Sequence, residues 1–274
     1  MEINNINNEI RTDMKKISLA LFTLMLFAFS ACSDDDSEKD KKVNVGFYLT
    51  DAPAVGDIEA VYLDMKSVSY SLEGDNWISL AIKPSSVELL QFSNGKDSLL
   101  SNITLDAGIK VQQIRLLLGE NNFIIKDGTK IPLKTPSGQT SGFKINVQSI
   151  PVITSGYKVV VDFNAAQSIV AQGNGNYSLK PVIRAYIQAN TSAIYGYLTP
   201  DNEATRVFTL NTEGDTISTI SDINNKNYFQ LHGLFSGTYK VQTQNLVTSE
   251  FGVLKDNVIV LGGTNVDLGT ISLP

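Results

Sequence analysis

Two aspartates that follow apolar, strand-like runs are the first residues whose chemistry could matter. Asp51 lies in the segment LTDAP and Asp162 lies in VVVDFNA. Two carboxylates at a suitable separation can hydrolyse a glycosidic bond, or they can ligate Ca²⁺ together with other oxygens. The alternative is structural: Asp51 accepts hydrogen bonds from a turn, and Asp162 faces solvent or pairs with a lysine. We favour the structural interpretation and predict no catalytic or metal-binding residue, but both aspartates remain candidate ligand-binding residues.

The stretch Thr135–Lys144, with the sequence TPSGQTSGFK, is dense in hydroxyl groups and contains an amide and two glycines. Such a segment can offer donors and acceptors to a polyol at close backbone approach. Its candidate ligand-binding residues are Ser137, Gln139, Ser141 and Lys144. The alternative is a long structural loop that is held by its own serine and threonine hydrogen bonds.

Trp77 and His232 are each unique in the chain. Trp77 follows the turn Glu73–Asn76 and is a candidate sugar-stacking platform, although a tryptophan at the head of a strand also packs on a core. His232 lies in NYFQLHGL with no nucleophile motif nearby, so we interpret it as an ordinary polar histidine. The sequence contains no HExxH motif, cysteine cluster or P-loop. We therefore expect no transition-metal site and no cofactor.

The single cysteine, Cys32, ends an apolar run. Lys15 and Lys16 precede this run, ISLALFTLMLFAF, which has the order of charge and apolar residues found in secretory signals. At about 13 residues it is shorter than a bilayer-spanning helix, so a permanent transmembrane segment is the weaker interpretation. The residues before Cys32 resemble the bacterial lipobox, with Phe29 where leucine is usual. This resemblance implies lipid attachment at Cys32 and a signal peptide over 1–31. The segment before Met14 is rich in asparagine and mixed in charge, unlike the start of a signal peptide, so we expect the true start at Met14.

The acidic run Ser33–Ser37 follows that cysteine. It predicts a solvated tether, and it resembles the export signal that directs some lipoproteins to the outer leaflet of the outer membrane. We predict an outer membrane lipoprotein that is anchored through Cys32 and faces the cell exterior, with the periplasmic leaflet as the alternative. The net charge is −6, so nucleic acid is not an expected partner. A single cysteine leaves no intramolecular disulfide, so packed cores must stabilise the fold.

Short runs rich in Val, Ile, Tyr and Thr predict an all-β fold of two β-sandwich-like domains in series, the first with one short helix near Ser86–Phe92. A phase slip near Lys66–Ser67 indicates a β-bulge, and Lys126–Lys130 indicates a hairpin turn. A polar seam at Gln188–Ser192 separates the domains. The predicted organisation is a signal peptide (1–31), a lipidated acidic linker (32–42), a first β domain (43–190) and a small β-sandwich (191–274).

The first domain resembles the bacterial and archaeal "domain of unknown function 4382" family. The matching segments include LTDAP, VYLDMKSVSY, IIKDGTKIPLKTPSGQTSGFKI, VVVDFNAAQSIV and YSLKPVIRAYI, in collinear order over 44–188. One departure is Asn164, where an acidic residue is common. The tail, with GLFSGTYKV and DLGTISL, resembles carboxypeptidase-regulatory or prealbumin-like β-sandwiches. The resemblance implies a β fold and an extracellular setting, without an established reaction.

These observations predict a non-catalytic binding module for a glycan or an envelope partner protein. The alternative is a structural or accessory envelope component, and a carboxylate-based hydrolase is a third candidate. An exposed Trp77 beside the Thr135–Lys144 stretch would favour glycan binding. Two exposed carboxylates that face each other across a cleft would favour hydrolysis.

Overall fold

The computed structural model describes residues 41–52, 58–83, 85–135, 141–148 and 155–274. The predicted signal peptide, Cys32 and the acidic tract lie outside these residues. Within the described residues, no helix combines the length and the hydrophobicity that crossing a bilayer requires.

The described part of the chain is dominated by strands. Their bounds are β1 Lys42–Ala52, β2 Ile58–Ser71, β3 Trp77–Ser79, β4 Ser85–Glu88, β5 Ser98–Asp106, β6 Gln113–Leu118, β7 Phe123–Lys126, β8 Thr129–Lys134, β9 Phe143–Gln148, β10 Tyr157–Asn164, β11 Ile169–Ala171, β12 Tyr177–Leu179, β13 Ile183–Ile187, β14 Ser192–Thr199, β15 Thr205–Leu210, β16 Thr216–Ile220, β17 Tyr228–Leu234, β18 Gly237–Asn245, β19 Phe251–Val260 and β20 Val266–Ser272. One α-helical turn, α1, spans Ala165–Ser168, and 3-10 helices span Leu89–Phe92, Gln188–Asn190 and Ile223–Asn225. The predicted all-β class is confirmed.

The first thirteen strands form one sheet with the order β11-β12-β8-β7-β2-β6-β9-β13-β10-β1-β5, and β3 and β4 pair with β2 beside this path. Four strands separate β1 from β2 in this order, yet the rings of Phe47 and Tyr70 contact each other with centroids 5.5 Å apart. The sheet therefore curls until β1 and β2 share one core. Alternation supplies that core, because Val45, Phe47 and Leu49 are buried on one face of β1.

The last seven strands form two sheets, β17-β14-β20 and β16-β15-β18-β19, which enclose a second core. Phe229, Val207 and Val241 are fully buried there. Residues 41–274 form one compact unit, although their two buried clusters are distinct. The predicted domain boundary between residues 190 and 191 stays a prediction, and so does the carboxypeptidase-regulatory resemblance of the tail.

Local chemistry explains several details. The register of β2 against β6 shifts between Met65 and Ser67, as the phase slip predicts. Asp127 and Gly128 both have positive φ, which gives the predicted tight turn between β7 and β8.

The predicted helix over Ser86–Phe92 is wrong in its first half. Ser85–Glu88 is strand β4, which pairs with β2, and only Leu89–Phe92 turns into a 3-10 helix. The Glu88 carboxylate caps this helix by accepting a hydrogen bond from the Leu90 N–H, 2.9 Å away. Pairing with a neighbouring strand therefore overrides the local helical preference of this segment.

Candidate functional site

Three adjacent strand pairs place Trp77, Arg115 and Lys144 on the outward face of the first sheet. Trp77 lies opposite Ser71 where β3 pairs with β2. Arg115 lies between Ser69 of β2 and Lys144 of β9. The intervening residues of these strands, such as Ile114 and Ile145, are buried in the core. Strict alternation along the strands therefore turns the polar set outward.

The side chains of this face converge on the indole. Trp77 is partly exposed, and the guanidinium carbon of Arg115 lies 4.8 Å from its ring centroid. The ammonium nitrogen of Lys144 lies 5.5 Å from the same ring and 2.6 Å from the Asp75 carboxylate. We call Asp75, Trp77, Arg115 and Lys144 the Trp77 cluster. Its two cations and one aromatic ring lie at the surface, where they can contact an anion and a flat apolar ligand surface together.

The Trp77 cluster is held in place by its neighbours. The hydrogen bond from Lys144, followed by its charge, lowers the pKa of the Asp75 carboxyl, and a hydrogen bond from Trp77 acts in the same direction. Ser71 is buried and donates to the Gly74 carbonyl oxygen at 2.7 Å, which fixes the turn before Trp77. The cluster is therefore tied to a hydrogen-bonded turn and to three paired strands.

The polar stretch that the sequence indicated is only partly described. Ser141 is exposed and lies three residues before Lys144 in the chain. Ser137 and Gln139 lie outside the described residues. The structure therefore brings Trp77 and Lys144 together, as two separately chosen candidates, and places Ser141 beside Lys144 in a shared surface hollow.

Asp51 lies inside the protein, away from the Trp77 cluster. It is 1% exposed, and its Oδ1 accepts a hydrogen bond from the Ala165 N–H at the start of α1, at 3.1 Å. Its buried Oδ2 has no hydrogen-bond partner among the described residues. Burial, followed by the nearby charge of Asp162, raises the pKa of the Asp51 carboxyl well above its ordinary value. Asp51 therefore lies where a surface ligand does not reach it.

Asp162 is also buried, and its partner is an arginine rather than the predicted lysine. Its Oδ2 accepts a hydrogen bond from Arg184 Nε at 2.8 Å, and Arg184 Nη2 is 2.5 Å from the same oxygen. Arg184 also donates to the carbonyl oxygens of Gly233 and His232, each at 2.8 Å. The ion pair lies within the first sheet, and the two further hydrogen bonds of Arg184 join this sheet to β17 of the C-terminal sandwich. Asp51 and Asp162 do not form a pair of exposed carboxylates across a cleft.

His232 belongs to the same junction. The Tyr186 hydroxyl lies 2.7 Å from His232 Nδ1. Burial raises the pKa of Tyr186 and lowers the pKa of His232, which favours the neutral form of both side chains. Gly233 has a φ of +68°, and a Cβ at this position would come within 2.5 Å of the Tyr186 ring. The histidine therefore holds two parts of the fold together.

A comparison with protein families identifies the family of this chain. The family model described as "Domain of unknown function (DUF4382)" matches residues 42–181. The chain belongs to this family. The match covers β1 to β12 and therefore includes the whole Trp77 cluster, while the seven-stranded C-terminal sandwich lies beyond it. Among curated proteins, no relative matches.

Solved structures offer only weak likenesses to this DUF4382 protein. The Bacillus anthracis TIE protein has a TM-score of 0.22 at 9% identity, over 83% of this chain and 33% of its own. A fimbrial protein from Bacteroides ovatus ATCC 8483 has a TM-score of 0.20 at 10% identity, over 85% of this chain and 50% of its own. BcpA, the major pilin subunit of Bacillus cereus, has a TM-score of 0.18 at 8% identity, over 85% of this chain and 99% of its own. The chain thus spans a third to a half of the first two, and these scores support no argument about function.

Two members of the Trp77 cluster were not among the candidates from sequence. Arg115 follows the alternation of QIRLLL, in which Ile114 and Leu116 are buried, so the pattern places it on the outward face. Its position beside Trp77 depends on the pairing of β2 with both β3 and β6, which the sequence does not reveal. Asp75 lies in the turn before Trp77, and because aspartate is common in turns, the sequence alone did not identify it as a candidate.

Proposed function

We propose that this protein is an envelope lipoprotein that acts as a non-catalytic binding module, and that the Trp77 cluster binds a glycan carrying anionic groups. The observation that carries the proposal is the convergence of Trp77, Arg115 and Lys144 on one outward sheet face. Aromatic rings pack against the apolar faces of sugars, while guanidinium and ammonium groups bind carboxylate or sulfate. The described geometry of the Trp77 cluster supports a binding surface.

The shape of the face also supports a linear ligand. The outward residues run across β3, β2, β6 and β9, and neighbouring strands are about 4.8 Å apart, so the strip is about 14 Å wide. Gln113 donates to Asn146 at 2.8 Å and continues the row of polar groups beside Arg115 and Lys144. A chain of two or three sugars can therefore contact the aromatic ring and both cations together.

The location is part of the proposal. Lipid attachment at Cys32, followed by the acidic tract, would hold the described strands outside the membrane on a tether. Two or more acyl chains make such an anchor stable. A binding surface with this anchor would face either the medium or the periplasm.

A glycan screen tests the proposal most widely. The protein from Ser33 to Pro274 is applied to oligosaccharides that contain uronic acids or sulfate, and to neutral oligosaccharides of the same length. We expect binding to the anionic set that weakens as salt rises from 50 to 500 mM. If the protein binds none of the glycans and captures an envelope protein instead, glycan binding is refuted and the accessory-component alternative is favoured.

A further inference from the structure

A second surface, which adjoins the Trp77 cluster at Lys144, lies where the first sheet splits. β12 pairs with β8, whereas β13 pairs with β9 at two positions only, Ala185 with Val147 and Tyr186 with Gln148. The chain from Lys180 to Val182 crosses this split. Phe143 to Asn146 pair with β6 on one side, and β13 does not pair with them on the other. Among the residues that the structure describes, the start of β9 therefore has an unpaired edge, and this edge faces a groove.

The groove has an apolar floor. Two adjoining hollows of about 670 and 370 Å³ share Phe143 and Pro181. Leu179, Val182 and Ile183 complete the floor, and the Val182 side chain is 41% exposed. Proline at position 181 has no N–H to donate, which contributes to the gap in the strand pairing. We call this surface the Phe143–Pro181 groove.

The rim of the Phe143–Pro181 groove is basic. Lys134 and Lys180 are exposed, and neither forms an ion pair within the described part of the chain. Lys144 also lines the groove, where its ammonium group is paired with Asp75. The described lining residues include no aspartate or glutamate. Two uncompensated cations beside an apolar floor are notable in a chain whose net charge is −6.

We propose that the Phe143–Pro181 groove binds an extended acidic peptide of a partner protein, with apolar side chains on the floor and carboxylates paired with Lys134 and Lys180. Charge complementarity selects an acidic ligand. The apolar floor and the strand edge favour a peptide over a sugar, because an added strand offers backbone hydrogen bonds and alternating side chains. The peptide proposal rests on Lys134, Lys180 and the apolar floor, and it does not require that the Trp77 cluster binds a glycan.

Fluorescence anisotropy with defined octapeptides tests this proposal. The probe is a labelled peptide of four Glu-Val repeats, and the comparison peptides replace either Glu by Gln or Lys, or Val by Ser. The protein is the chain from Ser33 to Pro274, which contains every described residue. We expect the Glu-Val peptide to bind best, with weaker binding when either the charge or the apolar side chains are removed.

Variants locate the binding surface. The double variant Lys134→Glu/Lys180→Glu should weaken the Glu-Val peptide at least tenfold, because two surface ion pairs are lost and replaced by repulsion. Val182→Glu should also weaken binding of the Glu-Val peptide, because it places a negative charge in the apolar floor of the groove. The double variant Lys240→Glu/Lys255→Glu makes the same change of charge at exposed lysines of the C-terminal sandwich and should stay within twofold of the unmodified protein. Thermal melting checks that each variant is folded.

Two results would overturn the proposal. One is an unchanged affinity of the Glu-Val peptide for the Lys134→Glu/Lys180→Glu variant. The other is no peptide binding, together with dextran sulfate binding that depends on these two lysines, since this would assign the groove to a polysaccharide. Because the glycan screen reads the Trp77 cluster with different ligands, either proposal can fail alone.

Discussion

Replacement of Arg184 by methionine should be among the most destabilising substitutions in this protein. Arg184 is largely buried and holds Asp162 while donating to the His232 and Gly233 carbonyls. Methionine keeps much of the volume but leaves a buried carboxylate and two carbonyl groups without their donor. Breaking a buried ion pair by removing one partner costs about 3–5 kcal/mol. For a chain of this size, about 2–4 °C are lost per kcal/mol, so Tm should fall by roughly 6–20 °C.

Differential scanning calorimetry and urea unfolding measure this effect. The control is Lys42→Met, because Lys42 forms a surface ion pair with Asp106. The Lys42 side chain is 63% exposed and the Asp106 side chain is 50% exposed. Such a surface pair is worth about 0–1 kcal/mol. The double variant Asp162→Asn/Arg184→Met removes both charges, so its loss should be smaller than the sum of the two single losses. An Arg184→Met cost as small as that of Lys42→Met would refute the conclusion that Arg184 stabilises the fold through Asp162 and the β17 carbonyl groups.

Three further predictions concern single positions. Asp51→Asn replaces the carboxyl with a side chain that does not ionise. Because the pKa of Asp51 is raised in the folded state, the neutral carboxyl contributes stability that is fully present below about pH 3.8 and is lost as pH rises through the folded-state pKa. The variant should therefore gain stability over the unmodified protein from pH 4 to 8 in urea unfolding, and a difference independent of pH would contradict this. Gly233→Ala should cost about 2 kcal/mol or more, because it adds contact with Tyr186 to positive-φ strain, whereas Gly214→Ala, with open space around it, should cost less; equal costs would exclude the contact. Cys32→Ala should abolish incorporation of an alkyne-labelled fatty acid, and retained label would place lipidation elsewhere.

The strand framework could be predicted because its chemistry is local. Alternation of apolar and polar residues identifies β6 and β9, and a bulge near Lys66 follows from a slip in that alternation. Turn residues with positive φ, such as Asp127 and Gly128, mark the hairpin between β7 and β8. Each of these signals lies within a few residues of the structure that it specifies.

The helical segments were harder to predict because they depend on distant contacts. Ser86 lies in a strand because β4 has β2 beside it. The turn α1 follows directly after β10, where the Asn164 side chain accepts from the Gln167 N–H at 3.1 Å and Asp51 accepts from the Ala165 N–H. Asn164 therefore acts as a helix cap.

The candidate site was predicted in part for the same reason. Trp77 and Lys144 have recognisable side chains, so composition and context drew attention to them. Their meeting depends on the order β3, β2, β6, β9, which brings residues 67 positions apart in the chain onto one face. Arg115 looks like any outward-facing strand residue until that order is known. The Arg184 link likewise depends on long-range packing between the first sheet and β17.

The most direct test of the proposed function is a set of binding isotherms for an anionic oligosaccharide selected in the glycan screen. Trp77→Ala and Arg115→Gln should each weaken binding by about 10- to 100-fold, as expected for loss of an aromatic anchor and of a charge-assisted hydrogen bond. Ile78→Ala changes the adjacent exposed residue of β3 and should leave the affinity within twofold. Equal affinities for all three variants would contradict the assignment of the Trp77 cluster as the glycan-binding surface.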